Sequence, residues 1–492
     1  MASLAFYLSA SVLFAQSTVA FNCSKKPIYV DIHKRAVEDS SVFQYGSFIG
    51  VGTPAQNHSL WPSLAQNHTS FASHAYCGDN STLRNCEKST GGFFSHEDST
   101  SYEDLANFQS LDKSTESSLE GFFGQDTLRL YTHYFETDGA SQTLVENSTI
   151  EVAEQGSIVP GRVGVGSSST LLRDLEARDI IAGKTYSLYI GHGYERAGGV
   201  INGSNVFGGY DSGRFTGTPH QYAMNTANPN PMSVNIKDIL LTTTHSNTNI
   251  SLFDPSVFPA MKSRPSTFEA QLTTEQFPLS LPYQITQNFI SHLSAQEDNT
   301  WGDASLKLPS PFQGTLSIVL DDGYTITLPQ EVLTNASNIT PIQQRDAKST
   351  APFLLGSAFL AQIYLMADYE AHTFFLADAV QTNNAVMPVT FCPRTTPAAY
   401  QRPSRNDWLQ QGLVGAVLGG VFGGIFLLAV AYCGYVAWMR RQDKRRLTRE
   451  LERGARAKMQ ALEVEEAPAF DPPPRSVAGG GGGAFWKKNG FA

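Results

Sequence analysis

The sequence predicts an all-β protein with one membrane-spanning helix, and two patterns support this. Short apolar runs alternate with turns rich in Gly, Asn, Asp and Ser along most of the chain, a spacing typical of all-β proteins. One uncharged run, Leu413–Trp438, is long enough to cross a bilayer of roughly 30 Å. Because 492 residues exceed what one compact core usually holds, we expect two or three units.

The apolar runs mark the predicted strands. The clearest helical window is Leu171–Ile181, where leucines and isoleucines recur on one face. The strands are predicted at Ile28–Ile32, Val42–Val51, Asn57–Leu60, Thr127–Tyr134, Thr149–Ala153, Tyr186–Ile190, Leu316–Leu320 and Tyr324–Leu328.

Composition and charge exclude some classes of protein. The chain is 16% charged and 41% hydrophobic, which is typical of a globular protein rather than a disordered one. Its formal net charge of -10 provides no basic surface for nucleic acid, so we expect no nucleic-acid partner.

The two ends of the chain carry targeting signals. Residues 1–20 resemble a secretory signal peptide, with a short apolar run at Leu4–Phe14 and small residues at Thr18–Ala20. Aromatic residues border the span, and basic residues follow it from Arg440 onward. Positive charge stays on the cytosolic side, so the N-terminal body is predicted outside and the tail inside. A removable lipid-anchor signal is the competing interpretation, but the long charged tail argues against it.

Cysteines and glycosylation sequons fit an exported body. Four cysteines precede the span, and Cys77 and Cys86 are close enough to form a local loop, which would leave Cys23 and Cys392 to join the ends of the body. Four cysteines allow three pairings, and the sequence does not choose among them. Sequons, all before the span, occur at Asn22, Asn57, Asn67, Asn80, Asn147, Asn202, Asn249, Asn335 and Asn338.

Several segments of the body carry short glycine-rich or aromatic motifs. They are Gly52–Gln56 (GTPAQ), Gly121–Leu128 (GFFGQDTL), Pro160–Gly166 (PGRVGVG), Tyr186–Gly191 (YSLYIG), Val206–Ser212 (VFGGYDS) and Phe353–Leu360 (FLLGSAFL) with Tyr364–Tyr369. These motifs resemble those of the pepsin-like aspartic proteases (peptidase A1). They occur in that family's order over roughly residues 45–379, and the pattern is most similar to fungal, membrane-anchored members.

The resemblance implies a bilobal all-β fold, with two β-barrel-like lobes and a cleft between them. The ectodomain would cover residues 21–392, with the N-lobe at about 40–215 and the C-lobe at about 216–380. Enzymes of the family use one Asp from each lobe. The two carboxylates share one proton, so that one acts as base and the other as acid.

Both catalytic Asp positions of the family carry other residues in this chain. After Gly52–Gln56 and one strand, the turn is expected at Trp61–Gln66, where Ser63 occupies the Asp position. In the second lobe, Thr273 occupies it, eight residues before Leu281-Pro282. A hydroxyl group has a pKa far above neutrality and cannot act as the base. No catalytic residue is therefore expected.

Two other acidic turns were weighed as replacements. Asp211-Ser212-Gly213 follows a Gly-Gly pair and is interpreted as a structural turn. Asp254 follows Leu252-Phe253 and is the remaining candidate for the second turn, although no Leu-x-Leu-Pro segment follows it in frame. The histidines lack metal-ligand spacing, so we expect neither a metal nor a cofactor.

The C-terminal region is divided into a stalk at residues 393–412, the span at 413–438 and a tail at 439–492. From Arg440 onward the tail has twelve Lys and Arg against seven Asp and Glu, and it ends in Pro- and Gly-rich sequence that predicts partial disorder. Gly415, Gly419 and Gly423 form a small-residue stripe, from which a homodimer is a hypothesis.

The sequence thus favours a glycosylated pseudoprotease of the cell surface, which binds a peptide or a cell-wall glycan in its cleft. The alternative is an active aspartic endopeptidase of the cell surface or the vacuolar route. Family membership favours the enzyme, whereas Ser63 and Thr273 favour the pseudoprotease.

Overall fold

The computed structural model describes residues 21–37, 43–78, 83, 85–112, 117–132, 142–192, 200–244, 248–298, 304–335, 337–383, 385–402 and 405–463. The chain divides into a body that ends at Tyr400 and a helical unit that begins at Gln401. The predicted signal peptide, Asn80 and the tail beyond residue 463 lie outside the described residues.

The body is built mainly from short strands. Those described are β1 Ile28–Ala36, β2 Phe43–Val51, β3 Gln56–Ser63, β4 Thr69–Ala72, β5 Glu103–Asp112, β6 Ser117–Tyr131, β7 Gln142–Gly156, β8 Arg162–Gly164, β9 Thr185–Tyr189, β10 Gly203–Phe207, β11 Gly209–Asp211, β12 Phe215–Ala223, β13 Ser233–Thr243, β14 Asn249–Ser251, β15 Phe268–Leu272, β16 Gln296–Asp298, β17 Ser305–Lys307, β18 Gly314–Leu320, β19 Thr325–Leu328, β20 Ile339–Gln343, β21 Leu354–Leu355, β22 Ile363–Asp368, β23 Thr373–Ala379 and β24 Pro388–Thr390. Its α-helices are α1 Cys86–Thr90, α2 Thr170–Ala177, α3 Tyr283–Leu293, α4 Gln330–Leu333 and α5 Ser357–Leu360.

One large sheet joins the first lobe to the middle of the body. Its 13 strands run in the order β12-β23-β22-β9-β10-β1-β2-β3-β8-β4-β7-β6-β5. Strand β1 pairs with β10 on one side and with β2 on the other, so it connects the central strands to those of the N-terminal lobe.

The second lobe is formed by separate sheets. Strands β19-β18-β13-β15-β21 form one sheet, with β14 added on β13, and β16-β17-β20 form another. The body is therefore all-β and bilobal, as predicted. The alternation of apolar and polar residues explains why these segments are strands. On β7, for example, Ile150 and Val152 are buried in the core, whereas Glu151 between them points to the other face.

Helix α2 lies close to the predicted helical window but ends earlier. Ser169 caps its N-terminus by accepting a hydrogen bond from the Leu172 N–H (3.2 Å). The predicted window extended to Ile181, but the chain leaves the helix after Ala177, and Asp179 takes a left-handed conformation (φ 56°). Leu171, Leu172 and Leu175 form its buried face.

The body contains two disulfide bonds, and they resolve the pairing that the sequence left open. Cys77 bonds to Cys86, and Cys23 bonds to Cys392 across 369 residues of sequence. The second bond joins the segment before β1 to the segment after β24 and so connects the two ends of the body. Cys433 is a free cysteine on the C-terminal helix.

The helical unit is a single helix, α6, which covers Arg405–Glu463. Its segment Gly415–Met459 is long and apolar enough, by length and composition, to cross a membrane. The helix begins inside the predicted stalk, where Pro403 is the last proline and the chain beyond it can make continuous helical hydrogen bonds. It also continues through the first half of the predicted tail, up to Glu463.

Candidate functional site

The first candidate turn begins later than predicted. Strand β3 continues to Ser63, so Trp61, Pro62 and Ser63 belong to the strand and not to the turn. The strand extends because β8 pairs with it in parallel, with Pro62 opposite Val163 and Ser63 opposite Gly164. Ser63 is completely buried, and its hydroxyl accepts a hydrogen bond from the Gln66 N–H (3.0 Å).

The second candidate turn is built in the same way. Strand β15 pairs in parallel with the short strand β21, and the next residue, Thr273, donates its N–H to the Leu355 oxygen (3.0 Å). The Thr273 hydroxyl accepts a hydrogen bond from the Glu275 N–H (3.1 Å). Thr273 is also buried. In each lobe, therefore, a strand paired in parallel ends at a buried hydroxyl that accepts a hydrogen bond from the main chain of the following turn.

The two turns are in contact across the lobe junction. The indole Nε1–H of Trp61 donates to the main-chain oxygen of Thr274 (2.9 Å), and the Leu64 N–H donates to the Thr274 hydroxyl (3.4 Å). Leu64 directly follows Ser63, and Thr274 directly follows Thr273. The structure thus brings the two predicted Asp positions to the same place.

An ion pair links the lobes beside these turns. The Arg162 Nε–H contacts a carboxylate oxygen of Glu275 at 3.2 Å. Arg162 lies opposite Trp61 in the β3–β8 ladder, and Glu275 is the residue whose N–H binds Thr273. The side chain of Arg162 is 14% exposed and that of Glu275 is 35% exposed, so the pair is partly shielded from water.

The backbone before Arg162 has little freedom. Gly161 has a φ of 82°, and a Cβ at this position would lie 1.9 Å from the Thr90 oxygen, so only glycine fits. The Arg162 N–H then donates to the Ser70 hydroxyl (3.3 Å). These constraints fix the point from which the guanidinium projects.

Arg162 belongs to a row of residues that crosses the first lobe. Ser70 pairs with Arg162 on one side and with Glu151 on the other, and Glu151 pairs with Phe123. Directly opposed residues of neighbouring strands share one face of a sheet. Trp61 and Arg162 reach the second lobe from this face. Burial raises the pKa of the Glu151 carboxyl to about 7.

Behind the first turn, His58 on β3 is completely buried. Its ring packs against Phe71 at a centroid distance of 4.9 Å, and neither ring nitrogen has a hydrogen-bond partner within the described part of the chain. This burial lowers the pKa of the imidazole to about 3. Among the residues that the structure describes, no group of three His, Cys, Asp or Glu side chains is arranged to hold a metal ion.

The two other acidic turns serve local structure. Asp254 accepts hydrogen bonds from the N–H (2.9 Å) and the hydroxyl (2.8 Å) of Ser256, and these bonds lower the pKa of its carboxyl. Asp211 is buried and accepts from the Gly213 and Met387 N–H groups (3.1 and 2.8 Å). Burial raises the pKa of the Asp211 carboxyl despite these bonds.

The sequence predicts Ser63 and Thr273 as the Asp positions but does not predict the ion pair beside them. Arg162 is a charged residue within the otherwise small and apolar segment Pro160–Gly166, and that contrast was the available signal. Glu275 follows Thr273 by two residues, and nothing in the sequence links it to Arg162. In the described part of the chain, Glu275 is the acidic residue of the second turn whose carboxylate contacts the first lobe.

The chain matches a known protein family in sequence and a known proteinase in structure. The family model described as "Eukaryotic aspartyl protease" matches residues 44–379, about two thirds of the chain. Among solved structures, the chain is similar to the aspartic proteinase from Irpex lacteus, with a TM-score of 0.50 and 17% sequence identity. That match covers 73% of this chain and 100% of the proteinase. No curated protein sequence matches the chain.

Proposed function

The chain belongs to the eukaryotic aspartyl protease family, and on that premise we propose that it binds peptides in the cleft of the fold without cleaving them. The observation that supports this proposal is the pair of buried hydroxyls at the junction. Ser63 is the last residue of β3 and Thr273 directly follows β15, and each hydroxyl already accepts a main-chain hydrogen bond.

These groups cannot perform the chemistry of two carboxylates. The family mechanism requires one ionised carboxylate to take a proton from water and one protonated carboxyl to donate a proton. An alcohol stays protonated at any pH at which the protein is folded, so neither hydroxyl supplies the base. Glu275 is a single carboxylate engaged in an ion pair with Arg162, and one carboxylate cannot take both roles.

The proposed setting is a membrane. Helix α6 supplies the candidate span. Together with the predicted signal peptide and the basic residues after Trp438, it supports a proposed orientation with the body outside the cell and the tail in the cytosol. Five of the proposed glycosylation sites are exposed: Asn22, Asn147, Asn202, Asn249 and Asn335. Asn57 and Asn67 are half-buried, and their side-chain oxygens accept hydrogen bonds from Tyr131 and Ser168.

Two further parts of this proposal concern the ligand and the oligomeric state. The ligand is proposed to be a peptide because the matched family is a protease family, and a cell-wall glycan is the alternative ligand. A homodimer through the exposed stripe of Gly415, Gly419 and Gly423 on α6 would place two cleft-bearing bodies side by side.

The second candidate function is that of an active aspartic endopeptidase, which the family match favours. The test is to incubate the full-length chain in nanodiscs with a peptide library at about pH 4, with and without a statine-type inhibitor. We expect intact peptides under both conditions. Cleavage that the inhibitor blocks would contradict the proposal and establish the enzyme. A pepsin-like protease treated in parallel confirms that the library contains cleavable peptides.

A further inference from the structure

We propose that Arg162 is a recognition site for a carboxylate of the bound peptide, and that Glu275 occupies this site when no ligand is present. The inference rests on the proposed peptide-binding function and names the chemistry of the preferred ligand. It assigns to the cleft a preference for peptides that carry an acidic side chain or a free C-terminal carboxylate.

The geometry of the ion pair leaves Arg162 partly free. A guanidinium group presents five N–H donors in a fixed plane, and the contact with Glu275 is made through Nε. Among the described residues, the Arg162 side chain is hydrogen-bonded through Nε, so its two terminal nitrogens can bind a second acceptor. A ligand carboxylate matches them with two parallel hydrogen bonds, the strongest arrangement between these two groups.

The site is both shielded and accessible. With 14% of its side chain exposed, Arg162 is largely removed from water, and charge-assisted hydrogen bonds are stronger under such conditions than on an open surface. Glu275 is exposed to 35%, so its carboxylate can leave the pair and be solvated. The ligand carboxylate then replaces that of Glu275 in the ion pair with Arg162. Because one ion pair is exchanged for another, little free energy is needed to separate Glu275 from Arg162.

Arg162 is also held in place before the ligand arrives. Its N–H binds Ser70, Gly161 packs against the Thr90 backbone, and Trp61 in the neighbouring strand is anchored to Thr274. Pre-organisation of this kind raises affinity because less conformational freedom is lost on binding. Since Arg162 comes from one lobe and Glu275 from the other, the exchange of carboxylates takes place at the junction of the two proposed ligand-binding turns.

The test compares three peptide libraries on the full-length chain in nanodiscs. The first has blocked ends and a fixed central Glu, the second has blocked ends and a central Gln, and the third has a central Gln and a free C-terminal carboxylate. We expect the chain to bind one or both carboxylate libraries about ten-fold more tightly than the neutral library. A preference for the first or the third library identifies the source of the carboxylate.

Two variants and one control test whether Arg162 causes the preference for carboxylate peptides. Arg162→Gln should remove the preference, whereas Glu275→Gln should increase it, because the competing carboxylate is gone. The increase keeps the test informative even if Arg162→Gln folds poorly. The matched control is Arg264→Gln, which removes an arginine that pairs with Asp238 within the second lobe and should leave the preference unchanged.

The possible failures are distinguishable. Equal binding of all three libraries would overturn this inference and leave the proposed peptide binding intact. Cleavage of the libraries would overturn the proposed function itself. Binding of an acidic oligosaccharide such as oligogalacturonate, without binding of any peptide library, would overturn both, as would an absence of all peptide binding.

Discussion

The indole of Trp61 donates a 2.9 Å hydrogen bond to the main-chain oxygen of Thr274, and this bond joins the two lobes beside the paired turns. Trp61 lies on β3, two residues before Ser63, and Thr274 directly follows Thr273. The ion pair between Arg162 and Glu275 crosses the same junction. Ser63 and Thr273, the predicted Asp positions, are thus enclosed by contacts between the lobes.

Trp61→Phe removes this hydrogen bond and keeps an aromatic ring. We expect the free energy of unfolding to fall by about 1 kcal/mol, because the Thr274 oxygen loses its donor. We also expect faster amide hydrogen exchange in residues 270–276, measured by mass spectrometry. Tyr45→Phe is the control, since it removes a comparable bond to the Ile201 oxygen (2.9 Å) that does not involve Thr274. Unchanged exchange at 270–276 in Trp61→Phe would contradict the prediction.

Glu151→Gln should change how stability depends on pH. Burial raises the pKa of the Glu151 carboxyl to about 7 in the folded protein, above the 4.5 of the free group. Its contribution to stability is therefore fully present below about pH 4.5 and is lost as the pH rises towards 7. The Gln variant lacks this loss, so we expect it to be more stable than the parent by on the order of 2 kcal/mol at pH 7.5 and similar to it at pH 4.

Denaturant unfolding at the two pH values measures this difference. Glu154→Gln, at an exposed position on the same strand, is the matched control and should follow the parent at both. If Glu151→Gln also kept the pH dependence of the parent, the Glu151 carboxyl would not be desolvated in the folded protein.

The sequence predicted much of this fold because local patterns determine it. Alternating burial on β7 and the capped helix after Ser169 are encoded within a few residues of each element. The boundary of β3 was missed because a distant segment sets it: β8, about 100 residues later, extends the pairing to Ser63. Residues Trp61–Ser63 show no local sign of this partner.

The site was predictable only in part for the same reason. Ser63 and Thr273 were predicted as the Asp positions from the motifs on either side of each turn, and this assignment stays a prediction. The pairing of Arg162 with Glu275 joins residues 113 positions apart, and neither residue alone indicates a partner. The start of α6 was also predicted too late, because the prolines of the stalk suggested an irregular chain as far as residue 412, whereas the helix begins at Arg405.

His58→Leu should make the protein more resistant to acid. Burial without a hydrogen-bond partner lowers the pKa of the His58 imidazole to about 3, whereas the unfolded chain protonates at about 6.5. The stability of the parent is therefore lost as the pH falls from about 6.5 towards 3. At pH 4.5 this loss amounts to about 3 kcal/mol for a shift of this size, and the Leu variant avoids it.

The informative quantity is the change in unfolding free energy between pH 7 and pH 4.5, because a packing defect from the substitution affects both values equally. His292→Leu, at an exposed position on α3, is the control and should retain the pH dependence of the parent. An unchanged pH dependence in His58→Leu would mean that His58 is protonated in the folded protein.

Introducing Asp at both degenerate positions should destabilise the protein at neutral pH. Ser63 is completely buried, Thr273 is nearly so, and their turns are in contact, so the two carboxylates of Ser63→Asp/Thr273→Asp cannot both ionise there without a large penalty. Their pKa values would be raised in the folded state, and their contribution to stability would be lost as the pH rises above about 4. We expect the free energy of unfolding to decrease by about 2 to 4 kcal/mol between pH 4 and pH 7, relative to the parent.

The matched control is Ser63→Asn/Thr273→Asn, which introduces side chains of the same size without charge and should show no added pH dependence. We also expect no inhibitor-sensitive cleavage by the Asp variant at about pH 4. Ser63 is followed by Leu64 and Ala65, and a tight turn at Ala65 is less favourable than one at Gly because Ala has less conformational freedom. Glu275 adds a third carboxylate beside the pair. Cleavage by the Asp variant would contradict this expectation, because it would mean that the two missing carboxylates alone separate this chain from an active protease.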